Sequence, residues 1–416
     1  MSSLPRLRPV EFVPVRVSGR SVVAVRDPEG LVEDTLLLPV EVAEVALLLD
    51  GRRDAVDVQV EYARRHRGAL LFTSDLTRIV EELDRWGLLD TDRARARRQA
   101  LEEAFRRAPE RPPYFAGKSY PDDPARLRAQ VEDCLHAADA SRIPTRPPRG
   151  VVAPHVDFER GGTGYGWAYT ALARSPATTF LLLGVAHGGA PVPFALCTKP
   201  YRTPLGTLPV DRAWVEELVR AAPELTEGEL AHRAEHSLEF QAVFLQVALK
   251  GRPVSVVPIL CSAFEQWAGR RSPREVPEVE RVVQLLRRTF WERADGAALV
   301  AGVDFSHVGP RFGDPEPPDS ALALRTSAGD HRALEHVLRG DAEAFWSEVA
   351  STGNPQRIDA LSALYAALRI LEPVHGQLLH YGQAPDPAGG IVSFAALALY
   401  DLPCGNPPQP PGPERR

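Results

Sequence analysis

The chain has 416 residues, 44% of them apolar and 25% charged, with a formal net charge of -6. That length suggests two or three domains, or one large domain with an appendage, and it can bury a core without disulfide staples. The acidic balance argues against nucleic-acid binding, there is no apolar run of about 18 residues to cross a membrane, and Met1 to Val13 lacks the apolar stretch of a signal peptide, so a cytoplasmic protein is expected.

Residues 1–90 read as a small, separate α-rich unit. Residues 21–25 and 36–38 are short β-like runs. Residues 40–49 have helical spacing and stop at Asp50-Gly51. Residues 54–66 make a second helix. Ser74 suits the N-cap of a third, which carries Leu76, Ile79, Val80 and Leu83 on one face. Three short helices with flanking strands suggest a winged-helix-like module. The segments LLLDGRR and LDRWGLLD resemble PqqD-like peptide-binding modules, which implies a peptide or protein partner for this unit. The third helix sets Asp75, Glu81, Glu82 and Asp84 against Arg78 and Arg85. A recognition helix that meets phosphates should not be net acidic, so no nucleic-acid partner is expected.

Residues 91–111 are Arg-rich and read as a solvated linker helix, ended by Pro112-Pro113. The Arg excess is general, since only Lys118, Lys199 and Lys250 among 49 basic residues are lysines. A second domain is expected over 112–402, and a disordered Pro-rich tail over 403–416. Apolar runs at 151–153, 178–184, 254–260, 297–303 and 391–400 read as strands covered on both faces. Helical patterns fall at 167–173, 211–221, 237–250, 278–289, 341–350 and 357–371. This is an α/β sandwich around a mixed, largely parallel sheet.

In open α/β sheets, ligands gather outside the carboxyl ends of the strands. Three strand ends here run into histidine. His155 and Asp157 follow the first, His187-Gly188-Gly189 the second, and Asp304 and His307 the fourth. Glu235-His236-Ser237 opens a helix. Imidazole and carboxylate suit a mononuclear iron, zinc or copper centre, and the alternative is a metal-free acid–base site. Gly161-Gly162-Thr163-Gly164 lacks dinucleotide-fingerprint spacing and reads as a tight loop bordering the pocket. Ser306 has no nucleophile-elbow motif. The four cysteines are scattered, with no CxxC pair to hold structural zinc. His232 reads as a loop residue. His66, His136, His331 and His336 read as solvated, and His380 is a candidate for the pocket wall.

The blocks APHVDFERGGTGYGWAY, LLGVAHGG, YRTPLGTLPVD, EHSLEFQAVFLQ, VVPILCS, VDFSHVG and HYGQA…GGIVSFAALAL occur in this order. Together they resemble the Memo family, called AmmeMemoRadiSam system protein B in bacteria, over residues 111–402. The resemblance implies a fold similar to the extradiol dioxygenases, which hold Fe(II) by two histidines and a carboxylate. It implies a redox metal, iron or copper, held by two histidines and a cysteine. The matching histidines are His155 and His187. It places Asp304 and His307 in the same pocket, and it suggests a radical-SAM enzyme as partner. The chain departs at the third ligand, where Thr352 stands about where the family has its cysteine. His307, Asp304 and His236 are then the candidates to complete the site, with Glu235 beside them for acid–base work. Asp157, Gly188 and Thr352 are expected to meet substrate. The family also has members described as signalling adaptors, so a non-catalytic binding protein is the alternative.

Overall fold

The computed structural model describes residues 3–17, 19–32 and 36–402. The tail expected over 403–416 lies outside the described residues.

β1 (Glu11–Val17), β2 (Arg20–Arg26) and β3 (Leu36–Pro39) form an antiparallel sheet with β2 in the middle. The second and third are the short runs expected from sequence. β1 carries Pro14, which weakens its signal and is tolerated because β1 is an edge. α1 (Val40–Ala46), α2 (Ala55–Arg65) and α3 (Thr73–Arg85) share a core with this sheet, built around Val25, Leu38, Val45, Leu76 and Leu83. α3 begins earlier than Ser74 suggests. Phe72 is its N-cap and makes no side-chain cap bond. Gln59 on α2 sets the entry by donating to Leu71 O (2.8 Å) and Thr73 Oγ1 (3.2 Å).

α4 (Asp92–Arg107) is the Arg-rich helix, and it is not fully solvated. Phe105 is buried beneath Lys199, and the Lys199 ammonium donates to the Arg106 and Ala108 carbonyls. Arg111, expected among the solvated arginines, is completely buried. Its partner is Glu239, deep in the second unit.

The second unit runs α5 (Pro124–His136), β4 (Gly150–Ala153), α6 (Phe158–Leu172), β5 (Thr179–Val185), β6 (Phe194–Leu196), β7 (Tyr201–Thr203), β8 (Gly206–Leu208), α7 (Arg212–Ala221) and α8 (His236–Ala248). It continues with β9 (Ser255–Cys261), α9 (Glu265–Ala268), α10 (Pro277–Trp291), β10 (Ala297–Gly302), β11 (His307–Val308), α11 (Ser320–Leu338), α12 (Ala342–Ala350), α13 (Ala360–Leu371), β12 (Val374–Asp386) and β13 (Gly390–Asp401). The sheet order is β11-β13-β4-β10-β5-β9-β6, with β12 also paired to β13. β4, β10, β5 and β9 are parallel, and the flanking pairs are antiparallel. The fold is therefore a mixed α/β sheet with a parallel centre. Phe180 to Gly184 of β5 are all buried, as a strand covered on both faces must be. α6 and α8 pack on β4, β5 and β10. α13, buried along its whole length, packs on β5, β9 and β10 with α10 and α12 behind it. Among the described residues no helix is long and apolar enough to cross a membrane.

The glycine-dense segment is a helix, not a loop. Gly161, Gly162, Gly164 and Gly166 all lie in α6. A Cβ at Gly162 would stand 2.7 Å from Cys134 Sγ, at Gly164 2.8 Å from the Phe394 ring, and at Gly166 2.0 Å from the Cys134 carbonyl. The glycines let α6 press against α5 and β13, a packing demand that overrides their low helix propensity.

Candidate metal centre

The parallel register brings three strand ends level. Leu183 of β5 pairs with Ala301 of β10, and Gly302 of β10 pairs with Ala153 of β4. The residues just past those ends fall side by side. His155 follows β4, His187 follows β5, and Asp304 opens the segment from β10 to His307. α8 and α13 start at the same edge and bring Glu235-His236 and Asp359 to it.

The ring centroids of His155, His187 and His236 are 4.6 to 5.0 Å apart. One ligand atom of each lies within 4.8 Å of the others, so this trio could hold a metal ion. Its rings are oriented from behind. His155 Nδ1 lies 3.1 Å from the Gly302 carbonyl, which can only accept. Nδ1 therefore carries the proton and Nε2 is left for another partner. His187 Nδ1 lies 2.9 Å from Glu235 Oε1, and the His187 and Ser237 amides donate to the same carboxylate at 2.9 Å each. His307 Nδ1 faces the Phe305 and Arg357 carbonyls at 3.1 and 3.2 Å. An acceptor behind each Nδ1 is the arrangement that fixes tautomer and ring direction in metal-binding histidines.

The Nε2 atoms of His155, His187 and His307 surround one oxygen. Asp359 Oδ2 is 3.0 Å from His155 Nε2, 3.6 Å from His187 Nε2 and 3.8 Å from His307 Nε2. It is fully buried, yet none of these approaches has hydrogen-bond geometry, and it has no other partner. The other oxygen, Oδ1, accepts from the Asp304 amide at 3.0 Å. Asp304 in turn accepts from the His155 amide at 3.0 Å, so the two aspartates tie the ends of β4, β10 and α13 together. An orphaned carboxylate oxygen among imidazole nitrogens is a donor set that fits a divalent transition ion.

The electrostatics follow from this crowding. Burial alone would lower the His155 pKa, but Asp359 and Asp304 outweigh it and push it up to about 9. Burial is likewise outweighed at His187, where Glu235 and Asp359 raise the pKa well above its ordinary value. Burial dominates at His236 and lowers it to about 4, so that ring is neutral. Asp359 and Glu235 are held well below the usual carboxylate range by the histidines facing them, in spite of burial.

Of the residues expected from sequence, His155, His187, His236, Glu235, Asp304 and His307 come together. Asp157 caps α6 instead, accepting from the Arg160 amide at 3.1 Å and the Arg160 guanidinium at 2.6 Å. Thr352 is exposed just past α12, and its hydroxyl donates to the Val349 carbonyl at 3.0 Å. The residue of that segment that faces the histidines is Asp359, seven positions on, which the sequence reading passed over. His380 stacks on Trp167 and Phe394 rather than on the histidines. His232 is completely buried, with Tyr201 Oη at 2.6 Å and the Ala195 carbonyl at 2.8 Å, and is not an open loop residue.

The N-terminal unit reaches the rim. A Cβ on Gly188 would stand 3.0 Å from the Pro28 carbonyl. Arg233 donates to the Gly30 and Glu29 carbonyls, and Glu29 is gripped by Arg8 and Arg98. A cleft of about 220 Å³ lies between the turn at Pro28 and the Gly188-Gly189 loop.

A family model described as Memo-like protein matches residues 111–398. A MEMO1 family protein of Aquifex aeolicus is 29% identical over 396 residues, covering 94% of this chain and 99% of its own length. One of Thermus thermophilus is 33% identical over 354 residues, covering 83% and 99%. One of Methanopyrus kandleri is 30% identical over 307 residues, covering 70% of this chain and 99% of its own length.

Proposed function

The chain belongs to the Memo-like family, and from that premise we propose that it holds one iron or copper ion through His155 and His187 and acts as a redox, dioxygenase-like protein. The convergence of imidazole nitrogens on the orphaned Asp359 oxygen carries this reading. Zinc would fit the same donors but would bring no redox chemistry. The bound metal would supply electron transfer and polarisation of a substrate oxygen. Glu235 and the Gly302 carbonyl aim His187 and His155 at it. Asp304 locks the β10 edge by holding the His155 amide. His236, neutral and partly exposed beside His155 and His187, is the group placed to exchange a proton with substrate, and His307 faces Asp359. The likeness of this fold to the extradiol dioxygenases belongs to the same proposal.

The N-terminal unit adds a partner. We read it as a winged-helix, PqqD-like module that docks a peptide or protein, with a radical-SAM enzyme as the companion activity in the cytoplasm. Its surface supports docking. Val56 and Val60 stand exposed one turn apart on α2, and Leu70 and Phe72 are exposed in the segment that follows. Apolar side chains grouped on one small unit mark a contact face.

Anaerobic elemental analysis of the purified chain tests the metal. About one ion per chain is expected, and its loss in the His155→Ala/His187→Ala double variant. Equal metal in the two proteins would sink the proposal.

A further inference from the structure

We propose that Asp359 is the third protein ligand, so that His155, His187 and Asp359 form a two-histidine, one-carboxylate set on one face of an iron(II)-class ion. This rests on the metal reading above and goes beyond it by naming the donor that replaces a thiolate.

Four observations carry it. First, position 359 is the N-cap of α13, where an aspartate ordinarily accepts from the first-turn amides. Here the side chain makes no cap bond. Oδ1 turns back to the Asp304 amide, and that single bond aims Oδ2 into the histidines. Second, Oδ2 is buried without a hydrogen bond and meets the ring nitrogens of His155, His187 and His307 across 3.0 to 3.8 Å, the place a shared ion would occupy. Third, the spacings suit ligands of a common ion. Two ligands each about 2.1 Å from one metal lie about 3.0 Å apart at a right angle and about 3.4 Å apart at the tetrahedral angle. Asp359 Oδ2 stands 3.0 Å from His155 Nε2 and 3.6 Å from His187 Nε2. Fourth, Asp359 would bring to a divalent ion a negative charge that a third imidazole lacks. His236 lies within reach of the same ion, and on this assignment it flanks the three ligands.

The donor set also chooses the metal. A thiolate would favour soft ions such as Cu(I). Two imidazoles and a carboxylate suit non-haem Fe(II).

The test uses the full-length chain, stripped of metal and titrated anaerobically with Fe(II) and with Co(II). Wild type is expected to bind one ion of either. Asp359→Asn keeps the size and the Oδ1 acceptor, and it is expected to weaken both ions at least about 100-fold, more than loss of an outer-shell partner does. Asp359→Cys places sulfur at the same point, and its Co(II) form is expected to gain a sulfur-to-cobalt charge-transfer band in the near ultraviolet. Thr352→Cys is expected to show no such band. The inference is overturned if Asp359→Asn binds within about threefold of wild type with an unchanged Co(II) visible spectrum. It is also overturned if cobalt-loaded Asp359→Cys lacks the band, or if Thr352→Cys is the variant that shows it. If folded wild type binds no ion, the metal reading itself falls. If wild type binds and Asp359 proves indifferent, only the ligand assignment falls.

Discussion

Arg111→Met is expected to destabilise the chain by about 5 kcal/mol. The guanidinium is fully buried and serves four acceptors. Nε donates to the His232 carbonyl and Nη2 to the Glu235 carbonyl at 2.8 Å each. Nη1 donates to the Pro112 carbonyl at 2.8 Å and to the Glu239 carboxylate. Glu239 is equally buried and also accepts from the Tyr114 amide (3.1 Å), the Phe115 amide (2.9 Å) and Tyr120 Oη. Removing one partner of a buried ion pair costs about 3–5 kcal/mol, because the other charge is stranded. The three donors left on Glu239 put this case at the lower end, about 3. The His232 and Glu235 carbonyls lose their donors at about 1 kcal/mol each. The sum is a large part of the 5–15 kcal/mol that holds a typical domain together. Urea unfolding followed by circular dichroism reads the loss directly. Arg111→Met/Glu239→Gln removes the stranded charge, so it should recover about 2 kcal/mol relative to the sum of the single variants. A single-variant loss under about 1 kcal/mol, or strict additivity in the double variant, would refute the stranded-charge argument.

Glu235→Gln is expected to lower metal affinity about 10–100-fold by releasing the His187 ring, and competition with a metal indicator measures it. Unchanged affinity would remove Glu235 from the orienting role. Gly166→Ala should destabilise by at least about 2 kcal/mol, because the new Cβ would meet the Cys134 carbonyl at 2.0 Å. Helix propensity alone predicts the opposite sign, so a raised melting temperature would show that α5 and α6 are not pressed together as described. Burial lowers the His232 pKa to about 4. The folded chain therefore holds a neutral ring whose stabilisation is complete above pH about 6.5 and is lost as pH falls through about 4, a span worth about 3 kcal/mol. The stability gap between wild type and His232→Gln should narrow accordingly between pH 7 and pH 4.5, and a pH-independent gap would contradict it.

Much of the architecture is legible in the chain. TTFLLLG and AALVAG read as strands covered on both faces, and β5 and β10 fall there. His155, His187 and Asp304 could be placed together in advance because parallel strands deliver their ends to one edge. Local rules misled where packing overrode them. Three glycines of α6, Gly161, Gly162 and Gly164, read as a loop, since nothing local announces Cys134 and Phe394 against them. Arg111 read as solvated, because its partner Glu239 is 128 residues away.

By itself, then, the sequence determined the alternating elements, the edge of the sheet that bears the chemistry, and the histidines that line it. These depend on hydrophobic period and on residues adjacent in the chain. Only the tertiary structure decided what completes the constellation. Asp359 falls inside the helical pattern of 357–371 with nothing local to single it out, and its turn inward depends on the Asp304 amide, 55 residues earlier. Direction of a side chain across such a separation is set by packing of β10 against α13, which no local pattern records.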